Sequence, residues 1–142
     1  MIMDHIELPF VKMSATAVTP TRATEGSVGL DFYSPANYII PPHSHLLIPT
    51  QIKLQIPTGH NGRLASKSSL AILHQLHVGA GVIDSDYMGE IMVLLINTAS
   101  HIHCIMKGDP IAQLILEKVS IPILKEVKAL PPTTRGAHGC GF

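Results

Sequence analysis

Hydrophobic residues occur along most of this chain in short runs, and turn-forming residues such as Gly, Pro, Asn and Asp separate the runs. Runs rich in Val, Ile and Leu are typical of β-strands joined by turns. In chain order they are IELPFVKM, VGLDFYS, NYIIP, HLLIPTQIKLQIP, GRLAS, LHVGAGVID, EIMVLLIN, HIHCIM, PIAQLILEKV and IPILKEV. About ten such strands in one domain predict an all-β sandwich, jelly roll or small barrel.

The segment SKSSLAILHQL (66–76) breaks this pattern. Its apolar residues recur at a mixed helical spacing, and they are Leu70, Ile72, Leu73 and Leu76. Ser66 or Ser68 is suited to cap the first turn, because a serine hydroxyl can accept a hydrogen bond from a free amide there. The segment therefore predicts one short helix.

The last stretch, LPPTTRGAHGCGF (130–142), has a different composition, because Pro, Thr and Gly replace the aliphatic residues. It carries too little apolar surface to bury itself. We therefore expect a β domain over 1–129 and a flexible, Gly-rich arm over 130–142 that a ligand orders.

Length and composition suit a single domain, since 46% of the 142 residues are hydrophobic. Ten basic residues balance ten acidic ones without a basic run, so we expect no nucleic-acid or membrane partner. Cys104 and Cys140 form neither a disulfide framework nor a metal pattern, which favours a reducing compartment. The sequence shows no secretory signal and no run of membrane-spanning length. These features predict an intracellular, cytoplasmic protein, with the nucleus as an alternative.

The nine histidines raise the question of a metal site. His43 with His45, and His101 with His103, are spaced to share one face of a strand. No cysteine or carboxylate cluster completes a set of three or four ligands. We therefore interpret these histidines as polar surface residues.

An acidic segment, GAGVIDSDYMGE (79–90), lies between two strand-like runs and so near a hairpin tip. Turn geometry accounts for Asp86 and Gly89. It does not account for Asp84, which follows Gly-Val-Ile where a half-buried strand should continue with an apolar residue. Two interpretations remain open for Asp84: it solvates the hairpin, or it does chemistry.

Five motifs occur in a fixed order along the chain, and together they resemble those of the trimeric dUTP diphosphatases, the dUTPases. They are GSVGLDFYSP (26–35), GRLASKSSLA (62–71), VGAGVIDSDYMGE (78–90), KGDPIAQLIL (107–116) and RGAHGCGF (135–142). Each motif alone is a weak signal, but the ordered set is specific. The resemblance covers nearly the whole chain. It implies an all-β, distorted jelly-roll or β-barrel fold with one short helix and a flexible C-terminal arm.

The resemblance also implies a reaction, the hydrolysis of dUTP to dUMP and pyrophosphate, which limits dUTP and supplies a thymidylate precursor. Asp84 would hold the 3′-hydroxyl and orient or deprotonate the attacking water. Tyr87 would pack on the deoxyribose and exclude a ribose 2′-hydroxyl. Backbone groups would read the uracil edge, and they belong to Gly79, Ala80, Gly81 and Val82.

For the phosphates, the resemblance implies positive charge and donors from three motifs. These residues are Lys67, Ser68, Ser69, Gln113 and Arg135, and the arginine would clamp the terminal phosphate from the arm. The cofactor would be Mg²⁺, bound mainly through triphosphate oxygens and waters. Asp31 would be its indirect ligand, through water. Gly139, Cys140 and Phe142 of the arm would complete the substrate site.

The chain departs from the family pattern at several of these positions. Lys67 stands where arginine is usual, which keeps the charge but loses the bidentate fork. Ser69 replaces a common glycine. Cys140 stands where the family carries a phenylalanine that stacks on uracil, and Phe142 follows two residues later. Either Phe142 covers the base, or the lid is weakened, or part of the activity is lost.

The family's architecture implies a homotrimer with shared active sites. One subunit would give the hairpin, a second the phosphate-binding motifs, and a third the arm. Two other functions remain open from the sequence. One is a catalytically weakened nucleotide-binding or interaction protein, which the departures at Lys67 and Cys140 motivate. The other is a dCTP deaminase of the same fold, to which KSS (67–69) is somewhat nearer.

Overall fold

The computed structural model describes residues 6–139 and 141, and this part of the chain forms eleven strands and one helix. The strands are β1 (Phe10–Lys12), β2 (Thr21–Arg22), β3 (Leu30–Tyr33), β4 (Tyr38–Ile40), β5 (Ser44–Leu54), β6 (His60–Ala65), β7 (Leu76–Gly79), β8 (Val82–Ile83), β9 (Glu90–Asn97), β10 (His103–Ile105) and β11 (Pro110–Lys118). The helix α1 spans Ser68–His74. The all-β prediction with one short helix is confirmed.

Two larger sheets enclose the core. One has the strand order β1-β5-β9-β7 and the other β2-β3-β11-β6-β8, while β10 and β4 form a separate pair. Every pairing is antiparallel. Buried and half-buried residues alternate along β9, so one face of that strand lies in the core and packs with residues such as Phe32 and Leu114. Within residues 6–139 the sheets are jelly-roll-like and do not close into a barrel.

The predicted strand IPILKEV (121–127) is wrong, because the structure assigns none of these residues to a strand. Ile121, Ile123 and Leu124 are between 85% and 97% exposed. A strand needs hydrogen-bonding neighbours, and no described strand of this chain pairs with the segment.

The run LHVGAGVID forms two strands rather than one. β7 pairs with β9, whereas β8 pairs with β6 in the other sheet. The chain turns between them at Ala80, whose φ is +47°. The prediction of a hairpin is confirmed, because β7 pairs with β9. The prediction of one continuous strand is wrong, because β8 belongs to the other sheet.

The helix α1 is confirmed but its predicted cap is wrong. Lys67 occupies the N-cap with φ −79° and ψ 128°, and no side chain caps the helix there. The Ser66 hydroxyl instead accepts a hydrogen bond from the Val78 amide at 3.0 Å. Ser68 is the first helical residue. Ile72 and Leu73 are more than 70% exposed.

The histidines do not form the pairs that strand spacing predicts. His43 has a φ of +51° and precedes β5, so it does not share a strand face with His45. Burial and the neighbouring His74, whose ring centroid lies 5.1 Å away, lower the pKa of His103. Among the described residues, no group of three or more His, Cys, Asp and Glu side chains could hold a metal.

None of the helical structure in residues 6–139 and 141 combines the length and the hydropathy that a membrane crossing requires.

Candidate active site

A surface pocket lies where the segment between β7 and β9 meets the sheets. Asp84 and Tyr87 line it, and both are exposed to solvent. The other lining residues are Leu64, Ala80, Val82, Ile83, Glu90, Ile91 and Met92. Four of the residues that the sequence assigned to the substrate therefore share one pocket, namely Ala80, Val82, Asp84 and Tyr87. Asp86 is not among the lining residues, which separates it from Asp84.

Local sequence explains how this segment crosses from one sheet to the other. Gly79 pairs with Leu94 at the end of β7, and the Gly81 carbonyl then accepts a hydrogen bond from the Leu64 amide at 2.7 Å. A Cβ at Gly81 would overlap the Leu64 carbonyl oxygen. Glycine at 81 is therefore needed for close packing on β6, in addition to any approach to a nucleobase.

We expect Gly81→Ala to destabilise the protein by about 1–3 kcal/mol, because the added methyl group meets backbone that cannot move aside. The pocket wall moves with it, so activity falls as well. Urea denaturation and steady-state kinetics measure the two effects. Gly26→Ala is the control for an added methyl group, since nothing lies within 4 Å of its Cβ. A Gly81→Ala protein with unchanged stability would contradict this packing argument.

The acidic segment ends in a turn that places Tyr87 beside Asp84. The Tyr87 amide donates to the Asp84 carbonyl at 3.1 Å, and the Tyr87 hydroxyl donates to the Glu90 carbonyl at 2.7 Å. Gly89 leaves room for this tyrosine, because a Cβ there would lie 2.6 Å from the hydroxyl oxygen. The turn thus holds the tyrosine ring and the carboxylate at one pocket.

A second group of predicted residues gathers in the five-stranded sheet. Gln113 of β11 lies opposite Asp31 of β3 on one side and opposite Ala65 of β6 on the other. Lys67, two residues beyond β6, forms a salt bridge to Asp31, with Nζ 2.6 Å from Oδ1. The lysine side chain is 21% exposed and the aspartate side chain 13%. Pairing in a mostly buried setting fixes the lysine charge at this point.

Gln113 is also held in place. Its Nε2 donates to the Ser66 carbonyl at 3.0 Å. Gly29 of the first motif leaves space for it, because a Cβ at 29 would overlap Gln113 Oε1. Ser68 and Ser69 are exposed at the start of α1, beside Lys67.

Ser66 links the two groups, and the sequence did not single it out for this role. Its hydroxyl accepts from the Val78 amide, and its carbonyl accepts from Gln113. The sequence suggested only a helix cap at this position. No local signal reveals the link, because Val78 and Gln113 are distant in the chain.

The arm forms a third group. Arg135 Nε donates to the His138 carbonyl at 2.7 Å, and Gly139 lies against the arginine, since a Cβ there would be 2.8 Å from Nη2. Residues 118–138 are exposed. Cys140 and Phe142 lie outside the described residues, so the structure does not test their predicted roles. Within residues 6–139, no hydrogen bond or ion pair joins the arm to the side chains of the other two groups.

This all-β chain has an exposed carboxylate in a loop pocket and a lysine held by a salt bridge in a second group of polar residues, and both are features of nucleotide-binding proteins. A protein-family model described as dUTPase matches residues 15–142. The chain belongs to the dUTPase family.

Two relatives extend this finding. The chain is 49% identical over 136 residues to the deoxyuridine 5′-triphosphate nucleotidohydrolase of avian adenovirus 8 (strain ATCC A-2A), covering 96% of this chain and 83% of the relative. It is 43% identical over 138 residues to the protein of the same name from Mus musculus, covering 97% and 85%.

Solved structures of phage proteins share the fold. A dUTPase variant from Staphylococcus bacteriophage 80alpha, solved with dUpNHpp, has a TM-score of 0.90 at 24% identity, covering 95% of this chain and 96% of that chain. A dUTPase variant from S. aureus phage phi11, described with a structural Mg(II) ion, has a TM-score of 0.82 at 24% identity, covering 87% and 98%.

Proposed function

We propose that this protein is a dUTP diphosphatase, which hydrolyses dUTP to dUMP and pyrophosphate. The observation that carries the proposal is the exposed Asp84 carboxylate in a pocket with Ala80, Val82 and Tyr87, in a chain of the dUTPase family. The nucleotidohydrolase names of the viral and mouse relatives agree with it. The reaction limits dUTP and supplies a precursor of thymidylate.

In this proposal the loop pocket binds the nucleoside. The backbone from Gly79 to Val82 reads the uracil edge, and glycine at 79 and 81 keeps side chains away from it. Tyr87 packs against the deoxyribose, and its 44% exposure leaves ring surface for that contact. Asp84 binds the 3′-hydroxyl and accepts a proton from the attacking water, because its exposed side chain lines the pocket.

The phosphates bind at the second group of residues. Lys67 supplies a positive charge that Asp31 holds in place, and Gln113, Ser68 and Ser69 add donors. Arg135 binds the terminal phosphate when the arm closes, and Gly139, Cys140 and Phe142 belong to the same proposed substrate site. A lysine at 67 gives a single-point contact where a guanidinium would give two.

Mg²⁺ is the proposed cofactor. Among the proposed phosphate-binding residues, Asp31 is the carboxylate. The described residues hold no cluster of three metal ligands. This donor set fits an ion that is bound mainly by triphosphate oxygens and waters, with Asp31 contacting a bound water. When bound, the ion neutralises charge on the triphosphate.

We also propose a homotrimer with shared sites, built from β domains over 1–129 and arms over 130–142. Within residues 6–139 the arm makes no hydrogen bond or ion pair with the side chains of the other two groups, which agrees with a site that subunits share. The segment over 119–130 carries exposed apolar side chains, including Ile123 at 96% and Leu124 at 97%. Side chains of this kind are normally covered in the working molecule.

If this assembly forms, the double variant Ile123→Asp, Leu124→Asp should sediment as a monomer and lose most of its dUTP hydrolysis, because charges replace the apolar contact. Sedimentation velocity and pyrophosphate release give the two readouts. Glu126→Lys is the matched control, since it changes a charge in the same exposed segment and should leave the trimer intact. A parent protein that is a stable and fully active monomer would refute the shared site.

Pyrophosphate release from each of the deoxynucleoside triphosphates, with and without Mg²⁺, tests the function itself. We expect release from dUTP alone and only with the metal. Ammonia release from dCTP would instead identify a deaminase. Binding of dUTP without pyrophosphate release would identify a nucleotide-binding protein without the activity.

A further inference from the structure

Glu90 makes two contacts that connect the pocket to the sheet behind it. Its carboxylate Oε2 accepts a hydrogen bond from the Gln51 amide at 2.8 Å. Its backbone carbonyl accepts the hydrogen bond from the Tyr87 hydroxyl at 2.7 Å. Glu90 also lines the pocket that contains Asp84. The sequence motifs predicted no role for Glu90.

The contact at Gln51 lies in an irregular part of β5. The register runs from Pro49 opposite Met92 to Lys53 opposite Glu90, so three residues of β5 (50–52) lie opposite a single residue of β9. Such a bulge bends the strand and re-aims its neighbours. Gln51 has a φ of +61°, which is uncommon for a residue other than glycine. A conformation of this kind persists only where the surrounding contacts hold it.

Several hydrogen bonds hold Gln51 in this conformation besides the one to Glu90. Its carbonyl accepts from the Met13 amide at 2.8 Å. Its side-chain Oε1 accepts from the hydroxyls of Ser14 and Thr16, at 2.5 Å and 2.6 Å. These contacts hold the bulge in place, and the hydrogen bond from the Gln51 amide joins the Glu90 carboxylate to it.

We propose that Glu90 is a positioning residue that transmits the geometry of this bulge to Tyr87, and so sets how well the pocket rejects ribose. The inference rests on the proposed function, in which Tyr87 packs against the deoxyribose. Tyr87 is nearly half exposed, so its ring depends on few contacts, and its only side-chain hydrogen bond in the described part of the chain ends on the Glu90 carbonyl. Rejecting one extra hydroxyl group needs a wall that does not move.

Glu90→Ala removes the carboxylate that accepts from the Gln51 amide, and we expect it to lower the preference for dUTP over UTP, measured as the ratio of kcat/KM values, by roughly tenfold. Glu90→Gln keeps an acceptor oxygen for the Gln51 amide and should restore the preference to within a factor of about three of the parent. Tyr87→Phe removes the same link from the other end. The effects of Tyr87→Phe and Glu90→Ala on the ratio of kcat/KM values should not be additive in the double variant, because the two residues belong to one series of contacts and are coupled.

A control variant tests whether the loss of any glutamate side chain changes the dUTP preference or the melting temperature. Glu117→Ala removes a half-exposed glutamate that pairs with Arg63 and does not line the pocket, and it should change neither quantity.

A Glu90→Ala protein that melts at a lower temperature but keeps the full preference for dUTP would show that Glu90 only stabilises the bulge. Additive effects of Glu90→Ala and Tyr87→Phe would also overturn the proposal. Calorimetric binding of dUpNHpp and UpNHpp gives the same discrimination without turnover. A parent that binds dUpNHpp selectively yet hydrolyses no dUTP would therefore refute the diphosphatase, while the binding ratios of the variants still decide the role of Glu90.

Discussion

Asp84→Asn should lower the rate of dUTP hydrolysis by about 100-fold or more while the chain keeps its fold and its affinity for nucleotide. An amide can still hydrogen-bond to a 3′-hydroxyl, but it cannot accept a proton from water. The fold should persist because the Asp84 side chain is exposed and only its backbone carbonyl is used, by the Tyr87 amide. Single-turnover kinetics with dUTP, together with calorimetric binding of dUpNHpp, separates the two effects.

Asp86→Asn provides the matched control for this prediction. Asp86 is exposed on the same turn but does not line the pocket, so its replacement should change turnover by no more than a factor of about three. Turnover by Asp84→Asn within a few-fold of the parent would assign the catalytic base elsewhere, and the solvated-hairpin interpretation of Asp84 would then stand.

The second large effect is expected in the core, at Asn97. This side chain is fully buried, and its Nδ2 lies within hydrogen-bonding distance of the carbonyls of Ile40, Pro41 and His101, at 3.2, 3.1 and 2.9 Å. Its Oδ1 accepts from the Ala99 amide at 3.0 Å. One side chain thus contacts backbone groups from two segments, 40–41 and 99–101.

We expect Asn97→Asp to lower the free energy of unfolding by about 3 kcal/mol or more at neutral pH. The shape is nearly unchanged, but a negatively charged oxygen replaces the donor and faces three carbonyl oxygens. Burial and these carbonyls favour the protonated form of the introduced carboxyl, so its pKa is raised in the folded state. The destabilisation should therefore be largest above that pKa and should decrease as the pH falls through it.

Urea denaturation at a fixed protein concentration measures this loss, because association changes apparent stability. Asn37→Asp is the matched control. Asn37 is exposed and uses only its Oδ1, which accepts from the Lys107 amide at 2.7 Å, and aspartate keeps that acceptor. Equal stability losses at the two positions would show that burial of the three carbonyls around Asn97 is not what decides the effect.

Much of the site was predictable because its signals are local in the sequence. The alternation along EIMVLLIN predicts the inward face of β9, and the structure confirms it at Ile91, Val93 and Leu95. The ordered motifs predicted the family. Asp84 was conspicuous because a carboxylate interrupted an apolar pattern, and it does line the pocket.

What the sequence could not predict depends on which distant segments meet. The salt bridge from Lys67 to Asp31 spans thirty-six positions in the chain, and the Glu90 contact with Gln51 spans thirty-nine. Neither has a local signature. Both follow from strand register and from a bulge, which are decided by the packing of whole sheets.

By itself, then, the amino-acid sequence determined the β-rich class, the short helix, the motif order and the chemistry available at each motif, because strand and helix periods and turn residues act over a few positions. Only the tertiary structure decided that LHVGAGVID divides between two sheets, that Lys67 rather than a serine occupies the N-cap of α1, and that IPILKEV has no strand partner among the described residues. The physical reason is that the spacing of apolar residues specifies which face of a strand or helix is apolar. The neighbour that covers this face is selected by the free energy of the assembled core.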